Sequence, residues 1–369
     1  ESDQGNYIEE CQSVINKTDG STWINGQMAS DENQLRQVGN LTKIDGSSDE
    51  TGSVGPIKFL AKLSSKETIV KRWKKTIFKE GTNKICVYSP EYTPGNKIMR
   101  PGLKFKVEGT GLQKMEFISL MLALFFGTAA LPHILIRYYT VPTPACARKS
   151  TIVAIAAIGF FYILTLFMGL GAMTSGVINL TDSNMSAPLL ARSFGVFLFS
   201  IISAIAFATV LGTVSGLIVA ASGAIAHDLL DRFVGLNMNE KQKVNVGRLS
   251  AFAVGLVAII LGIVFKGMNV SFLVGWAFAV AASANLPAIL MLLFWKKTTS
   301  RGIAWSIVIG IVSALGIILL SPDMFVRYGM AAADAPIPFG QPGIISIPLS
   351  FLTLIVVSLM TQSKETVVV

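Results

Sequence analysis

An apolar stretch is interrupted at Gly127-Thr128-Ala129-Ala130-Leu131-Pro132-His133-Ile134-Leu135-Ile136-Arg137. Pro132 has no N–H to donate, and its ring crowds the preceding turn. Gly127 loosens the backbone shortly before it. Two readings follow. One is a proline kink whose freed backbone groups are re-satisfied by neighbours. The other is a broken helix whose exposed amides and carbonyls hold a small solute near mid-bilayer. His133 and Arg137 are the ionisable groups beside the break, and intramembrane ionisable residues point to function. Both lie late in the stretch, about 24–30 Å from its outer end at ~1.5 Å per residue, a depth that also suits contact with headgroups.

A second pattern lies further along. Gly212, Gly216, Ala220 and Ala224 recur every four residues and make a small-residue ribbon for close helix packing. Thr209 and Thr213 run beside it on one face. Hydroxyls together with helix carbonyls are hard oxygen ligands that could hold a sodium ion without burying a charge. The competing reading is that each threonine bonds the carbonyl four residues before it.

No HExxH, GxSxG or phosphate-binding loop occurs, and no carboxylate pair lies within an apolar run. His227 stands beside Asp228 at a helix end rather than at depth. Cys11, Cys86 and Cys146 lack metal or redox spacing, and either Cys11 pairs with Cys86 or both are free thiols. The chain is therefore expected to be no enzyme and to need no cofactor.

The elements that must position these groups are set by composition. Hydrophobic residues make up 51% and charged ones 14%, well below the ~25% of soluble domains. The first 114 residues hold 17 of the 31 Lys and Arg and 14 of the 22 Asp and Glu. A polar segment, 1–114, thus precedes a membrane domain, 115–361, and a short tail, 362–369. Residues 1–55, rich in Ser, Gly, Asn and Asp, read as loop or disordered chain. Residues 56–114 alternate enough for a few strands or one short helix, with Lys71-Arg72-Trp73-Lys74-Lys75 as solvated surface.

A bilayer needs about 20 apolar residues per helix. Seven runs qualify: Phe117–Tyr139, Ile152–Gly176, Phe194–Ala226, Val246–Phe265, Phe272–Trp295, Gly302–Leu320 and Ile344–Met360. The third exceeds one span, so it tilts or continues into a loop. Eleven basic residues fall on one side: Arg137, Arg148, Lys149, Arg232, Lys241, Lys243, Arg248, Lys296, Lys297, Arg301 and Lys364. The other side has Arg192, Lys266 and Arg327. The positive-inside rule puts the first group and the C-terminus in the cytoplasm and the polar segment outside. Of the net charge of +9, about +3 lies in the polar segment (17 basic less 14 acidic) and about +6 in the membrane part (14 less 8), where the basic residues sit in such short loops, which argues against a nucleic-acid partner. Glu1 follows no Met or signal run, so an exported polar segment implies residues upstream and a chain that is the C-terminal part of something longer.

Three stretches, in order, resemble the solute:sodium symporter family. FISLMLALFFGTAALPHILIRYYTVPTPACARKS carries the GxxxxPHIL-R pattern of its acetate and proline permease branches. AIAFATVLGTVSGLIVAASGAIAHDLL and FLVGWAFAVAASANLPAILMLLFWKKTTSRGIAW follow it. The likeness runs from about Met115 to Met360 and leans toward the acetate permease (cation/acetate symporter) branch.

The resemblance implies an all-α, LeuT-type inverted-repeat fold, with the first five spans as the second repeat and the last two as additions. It makes the first span the discontinuous, solute-lining helix through Gly127, Thr128, Ala129 and Pro132. In proline permeases an aromatic lines the pocket where Thr128 stands here, which favours a smaller solute such as a monocarboxylate. The family's sodium ligands fall on Thr209, Gly212 and Thr213, and Gly212 lacks the hydroxyl found there in the family. Sodium, or a proton, would be the coupling ion. The rest of that ion site belongs to the missing N-terminal repeat, so the 369 residues alone are expected neither to bind sodium tightly nor to transport. The partners implied are a small organic anion, membrane lipid and that repeat. The location implied is a plasma membrane, the inner one in a bacterium. Two alternatives remain: a transport-like membrane sensor, and a scaffold that binds a partner through residues 1–114.

Overall fold

The computed structural model describes residues 11–30, 34–48, 51–100, 102, 107–135, 138, 140–236 and 238–362. Arg137 and Lys364, both counted above, lie outside them. The chain opens with strands β1 (Gln12–Asn16), β2 (Thr22–Ile24), β3 (Gln27–Met28) and β4 (Leu41–Lys43). Helix α1 (Pro56–Leu63), strands β5 (Ile69–Glu80) and β6 (Asn83–Pro94), and helix α2 (Gly95–Ile98) come next. Then follow α3 (Gly111–Ala130), α4 (Pro132–Leu135), α5 (Pro144–Thr174), α6 (Ser186–Ser193), α7 (Val196–Gly223), α8 (Glu240–Val264), α9 (Val270–Phe294), α10 (Ser300–Leu319), α11 (Pro322–Arg327) and α12 (Gly343–Thr361).

Two compact units divide these elements, Glu1–Pro101 with Val153–Thr209 and Gly102–Ile152 with Val210–Val369. In the first, the strands form one antiparallel sheet in the order β3-β2-β1-β6-β5-β4. Residues 12–43, expected as loop, hold four of its strands. Each is too short to persist alone, and pairing supplies what composition does not: β1 lies along β6 from Gln12 opposite Tyr88 to Asn16 opposite Lys84. Asn25 and Gly26, at φ +49° and +85°, make the tight turn between β2 and β3. Gly81, at φ +60°, begins the turn of the long β5–β6 hairpin.

This sheet is tied to the C-terminal end of α5. Val38 and Ile178 exchange backbone hydrogen bonds of 3.1 and 3.2 Å, and Asn40 N–H donates to the Met173 carbonyl at 3.0 Å. Phe59 of α1 meets Phe167 of α5 at a centroid distance of 6.5 Å. Gly39 passes so near Gly176 that a Cβ on it would stand 3.2 Å from the Gly176 Cα. Since α5 begins beside Arg148 and Lys149, the sheet sits at the opposite end of that helix. The three cysteines are free thiols: Cys86 is buried opposite Val14, and Cys11 is exposed ahead of β1.

Among the described residues seven helices are long and apolar enough to cross a membrane: Gly111–Leu135 with its interruption, Pro144–Thr174, Val196–Asp231, Glu240–Val264, Val270–Phe294, Ser300–Leu319 and Gly343–Thr361. Several open in polar sequence ahead of their apolar run, because helices start at caps rather than at the first greasy residue. Asn239 accepts from Gln242 N–H and returns its own N–H to the Gln242 side chain, setting the start of α8. The third span does not pass into a loop. It continues as a π-helix over Ala224–Phe233, and Asp231 then pairs with Lys243 of α8 at 3.0 Å.

In the second unit α3, α9, α10 and α12 pack together. Small residues bring them close. A Cβ at Gly310 would run into the Ser283 carbonyl, and one at Gly302 into the Ser358 hydroxyl. Serines bridge the gaps, Ser283 to Ser346 at 2.7 Å and Ser306 to Ser350 at 2.9 Å. Such pairs let apolar helices hold one register where hydrophobicity alone is indifferent.

Candidate functional site

Helix α3 presents Ser119, Leu120, Ala123, Gly127 and Ala130 as one buried stripe at three-to-four spacing. The stripe faces α9, whose Gly275, Trp276, Ala279, Ala282, Ser283 and Leu286 are buried in turn. At Gly127 the two backbones touch, since a Cβ there would stand 2.6 Å from the Phe278 Cβ. Three residues later the helix stops. Leu131 is extended (φ −72°, ψ 119°), and Pro132 opens the short α4. The Leu131 carbonyl accepts from Ile134 at 3.0 Å and Leu135 at 3.2 Å, which starts the new turn.

A helix end leaves its last carbonyls without intrahelical partners. One of them, that of Ala130, is met by α9: Asn285 Nδ2 donates to it at 3.1 Å. The surroundings are apolar, formed by Ala130, Ala282, Leu286 and Ile347 with Phe126, Leu290 and Phe351 packed on them. Thr128 and Ala129, by contrast, are exposed, as is Pro132. The Thr128 hydroxyl donates back to the Leu124 carbonyl at 2.7 Å. His133 is half-buried beyond the break. Thus Gly127, Thr128, Ala129 and Pro132 fall together around one interruption, with Gly127 on the packed side and the other three on the open side.

The residues singled out on the third span lie along α7. Thr209 Oγ1 donates to the Ile205 carbonyl at 2.8 Å, the back-bond anticipated for a threonine in an apolar helix. Thr213 is exposed. Among the described residues, the helix's own neighbouring backbone aside, no atom lies within 4 Å of where a Cβ on Gly212 or Gly216 would stand. Ala220 is half-buried and Ala224 exposed at the start of the π-helix. The most apolar stretches of α5 and α7 bury none of their residues, whereas about a third of those of α9, α10 and α12 is buried. His227 Nδ1 and Asp228 Oδ1, both exposed, sit 3.0 Å apart within the π-helix.

Sequence reasoning passed over Asn285, although an amide inside an apolar run, two residues before Pro287, was a readable signal. It also passed over Gln341 and Ser119. The Ser119 hydroxyl donates to the Gln341 carbonyl at 2.6 Å and accepts from Ile344 N–H at 3.0 Å. The Gln341 side chain is 1% exposed, and neither its Oε1 nor its Nε2 has a hydrogen-bond partner among the described residues.

Comparison with known proteins gives these residues a context. Residues 60–310 match the sodium:solute symporter family, starting well ahead of Met115 and ending within α10. The uncharacterized symporter YwcA of Bacillus subtilis (strain 168) is 45% identical over 267 residues, covering 70% of this chain and 51% of its own length. A monocarboxylic acid transporter of Corynebacterium glutamicum is 44% identical over 274 residues, covering 71% of this chain and 49% of its own. The chain spans about half the length of these curated relatives.

Proposed function

The chain belongs to the sodium:solute symporter family, multi-pass integral membrane proteins of transport and not enzymes, and from that premise we propose that it forms the C-terminal part of a secondary transporter. The proposed cargo is a small monocarboxylate such as acetate, imported with sodium by alternating access. The observation that carries this reading is the interruption of the first span at Leu131–Pro132, with Thr128, Ala129 and Pro132 exposed beside it. Backbone groups freed at such a break, together with a helix end, can hold an anion at membrane depth. The small side chain of Thr128 leaves room for a short carboxylate rather than a bulky one. The name of the Corynebacterium glutamicum relative supports the solute class.

In this reading the spans from α3 to α9 are the second repeat of a LeuT-type fold, and α10 and α12 are additions. Thr209, Gly212 and Thr213 contribute half of the sodium site. Room beside α7 supports that reading: among the described residues, its own helix backbone aside, no atom lies within 4 Å of a Cβ built on Gly212 or Gly216, which suits docking of a partner surface there. Gly216, Ala220 and Ala224 would pack against that same surface. The relatives, twice as long, have sequence enough to supply it. The basic loops lie in the cytoplasm of a plasma membrane, with the C-terminus, and the sheet lies outside. Its attachment to the end of α5 remote from Arg148 and Lys149 supports that orientation.

The test is uptake of radiolabelled acetate and pyruvate into proteoliposomes by the complete symporter, with and without a sodium gradient, in wild type and Thr213→Ala. Uptake that needs sodium and collapses in the variant is the expected result. Sodium-dependent uptake indifferent to Thr213→Ala would move the ion site elsewhere. Absence of any carboxylate uptake would overturn the solute class. The 369-residue chain reconstituted alone is expected to carry nothing.

A further inference from the structure

We infer that Asn285 is the positioning residue of the broken span: by holding the Ala130 carbonyl it sets the course of the backbone through Leu131 and Pro132. The Ala130 oxygen ends α3 inside the apolar seam of Ala282, Leu286 and Ile347, where an unmet carbonyl is costly. Asn285 Nδ2 meets it at 3.1 Å, and this is the side chain's one hydrogen bond among the described residues. The peptide joining Ala130 to Leu131 is planar, so fixing the oxygen also fixes the Leu131 nitrogen. Leu131 is the extended residue between α3 and α4, and its orientation decides where Pro132 and the following turn begin.

The amide is anchored firmly enough for this role. Its neighbours Ala284, Leu286 and Pro287 are buried. Ser283, half a turn earlier, bonds Ser346 of α12 at 2.7 Å, and Gly310 of α10 sits against its carbonyl. Pro287 cannot donate to that carbonyl, so α9 is held here by its neighbours rather than by its own ladder. Asn285 therefore transmits the position of the α9–α10–α12 group to the solute-lining break. Its effect on solute rests on the symport reading above, whereas its effect on the backbone rests on this geometry alone.

The experiment uses the complete symporter, with radiolabelled acetate as the probe. Asn285→Leu keeps the volume and removes the donor, and is expected to raise KM about tenfold, as for a lost hydrogen bond that strands a buried acceptor. Asn285→Asp tests donation itself. Ionised at neutral pH, with a usual pKa of ~3.9, it keeps the shape but has no proton to donate. Its KM is expected to be raised at least as far as that of Asn285→Leu. A wild-type KM in Asn285→Leu overturns the inference, and so does a wild-type KM in Asn285→Asp. Hydrogen exchange over residues 127–135 needs no solute, and is expected to quicken about tenfold in Asn285→Leu. Unchanged exchange overturns the inference. Quickened exchange in a protein that carries no acetate upholds it and counts against the solute assignment instead.

Discussion

Gly127 of α3 and Phe278 of α9 meet backbone to backbone: a Cβ on Gly127 would stand 2.6 Å from the Phe278 Cβ, 2.7 Å from its carbonyl oxygen and 2.9 Å from its Cα. The contact lies about one turn before α3 breaks, so the approach of the two helices and the position of the interruption are set together. Gly127→Ala is expected to destabilise the protein by ~1–3 kcal/mol, the usual cost of overpacking, and to lower the melting temperature in detergent. Adding Phe278→Ala is expected not to restore it, because the crowding atoms are backbone and Cβ. Rescue by the double variant would show that the ring, and not the backbone, sets the spacing.

Gln341 offers a test of the opposite sign. Its amide is buried with neither polar atom bonded among the described residues, at the junction of α3, α9 and α12. An apolar side chain of similar shape removes the desolvation cost of both atoms, each about 1–3 kcal/mol. Gln341→Met is therefore expected to raise the melting temperature. A fall would show that an internal water serves the amide.

The serine bridge between α10 and α12 is expected to be modest in strength. A double-mutant cycle on Ser306→Ala and Ser350→Ala, read by unfolding in detergent, should give a coupling of about 0.6 kcal/mol and no more than ~1.7. Gly310→Leu, which forces a side chain into the Ser283 carbonyl, is expected to prevent the four helices from packing at all.

The orientation can be read from the chain's own cysteines. Cys11 and Cys146 are exposed and Cys86 is buried. A membrane-impermeant maleimide applied to intact cells is expected to label Cys11, to reach Cys146 only after permeabilisation, and to reach Cys86 only after unfolding. Labelling of Cys146 from outside with Cys11 protected would invert the proposed orientation.

Much of this protein was legible because lipid imposes a local rule. A spanning helix must satisfy its own backbone and be apolar along about 20 residues, so seven spans could be counted in the sequence without knowing any contact. Pro132 likewise announced an interruption, since the missing N–H belongs to the residue and not to its surroundings. The sheet of the polar segment was not legible as such. Gln12–Asn16 is a strand because Lys84–Tyr88 lies beside it, and composition records no partner; turns such as Asn25-Gly26 and Asp45-Gly46 are the local signals there. The third span showed its excess length, but not that it would widen into a π-helix ending at the Asp231–Lys243 pair.

By itself the sequence determined the class of protein, the number of helices long and apolar enough to span and the residue at which the first of them breaks. Each follows from one residue's chemistry or from the apolar content of a short window. Tertiary structure alone decided which side of the broken helix is packed and which is open. It also decided that Asn285 answers the stranded Ala130 carbonyl from 155 residues away. Those facts depend on which helix face meets which neighbour, and in an apolar bundle that choice is made by glycine clearances and serine pairs between segments far apart in the chain.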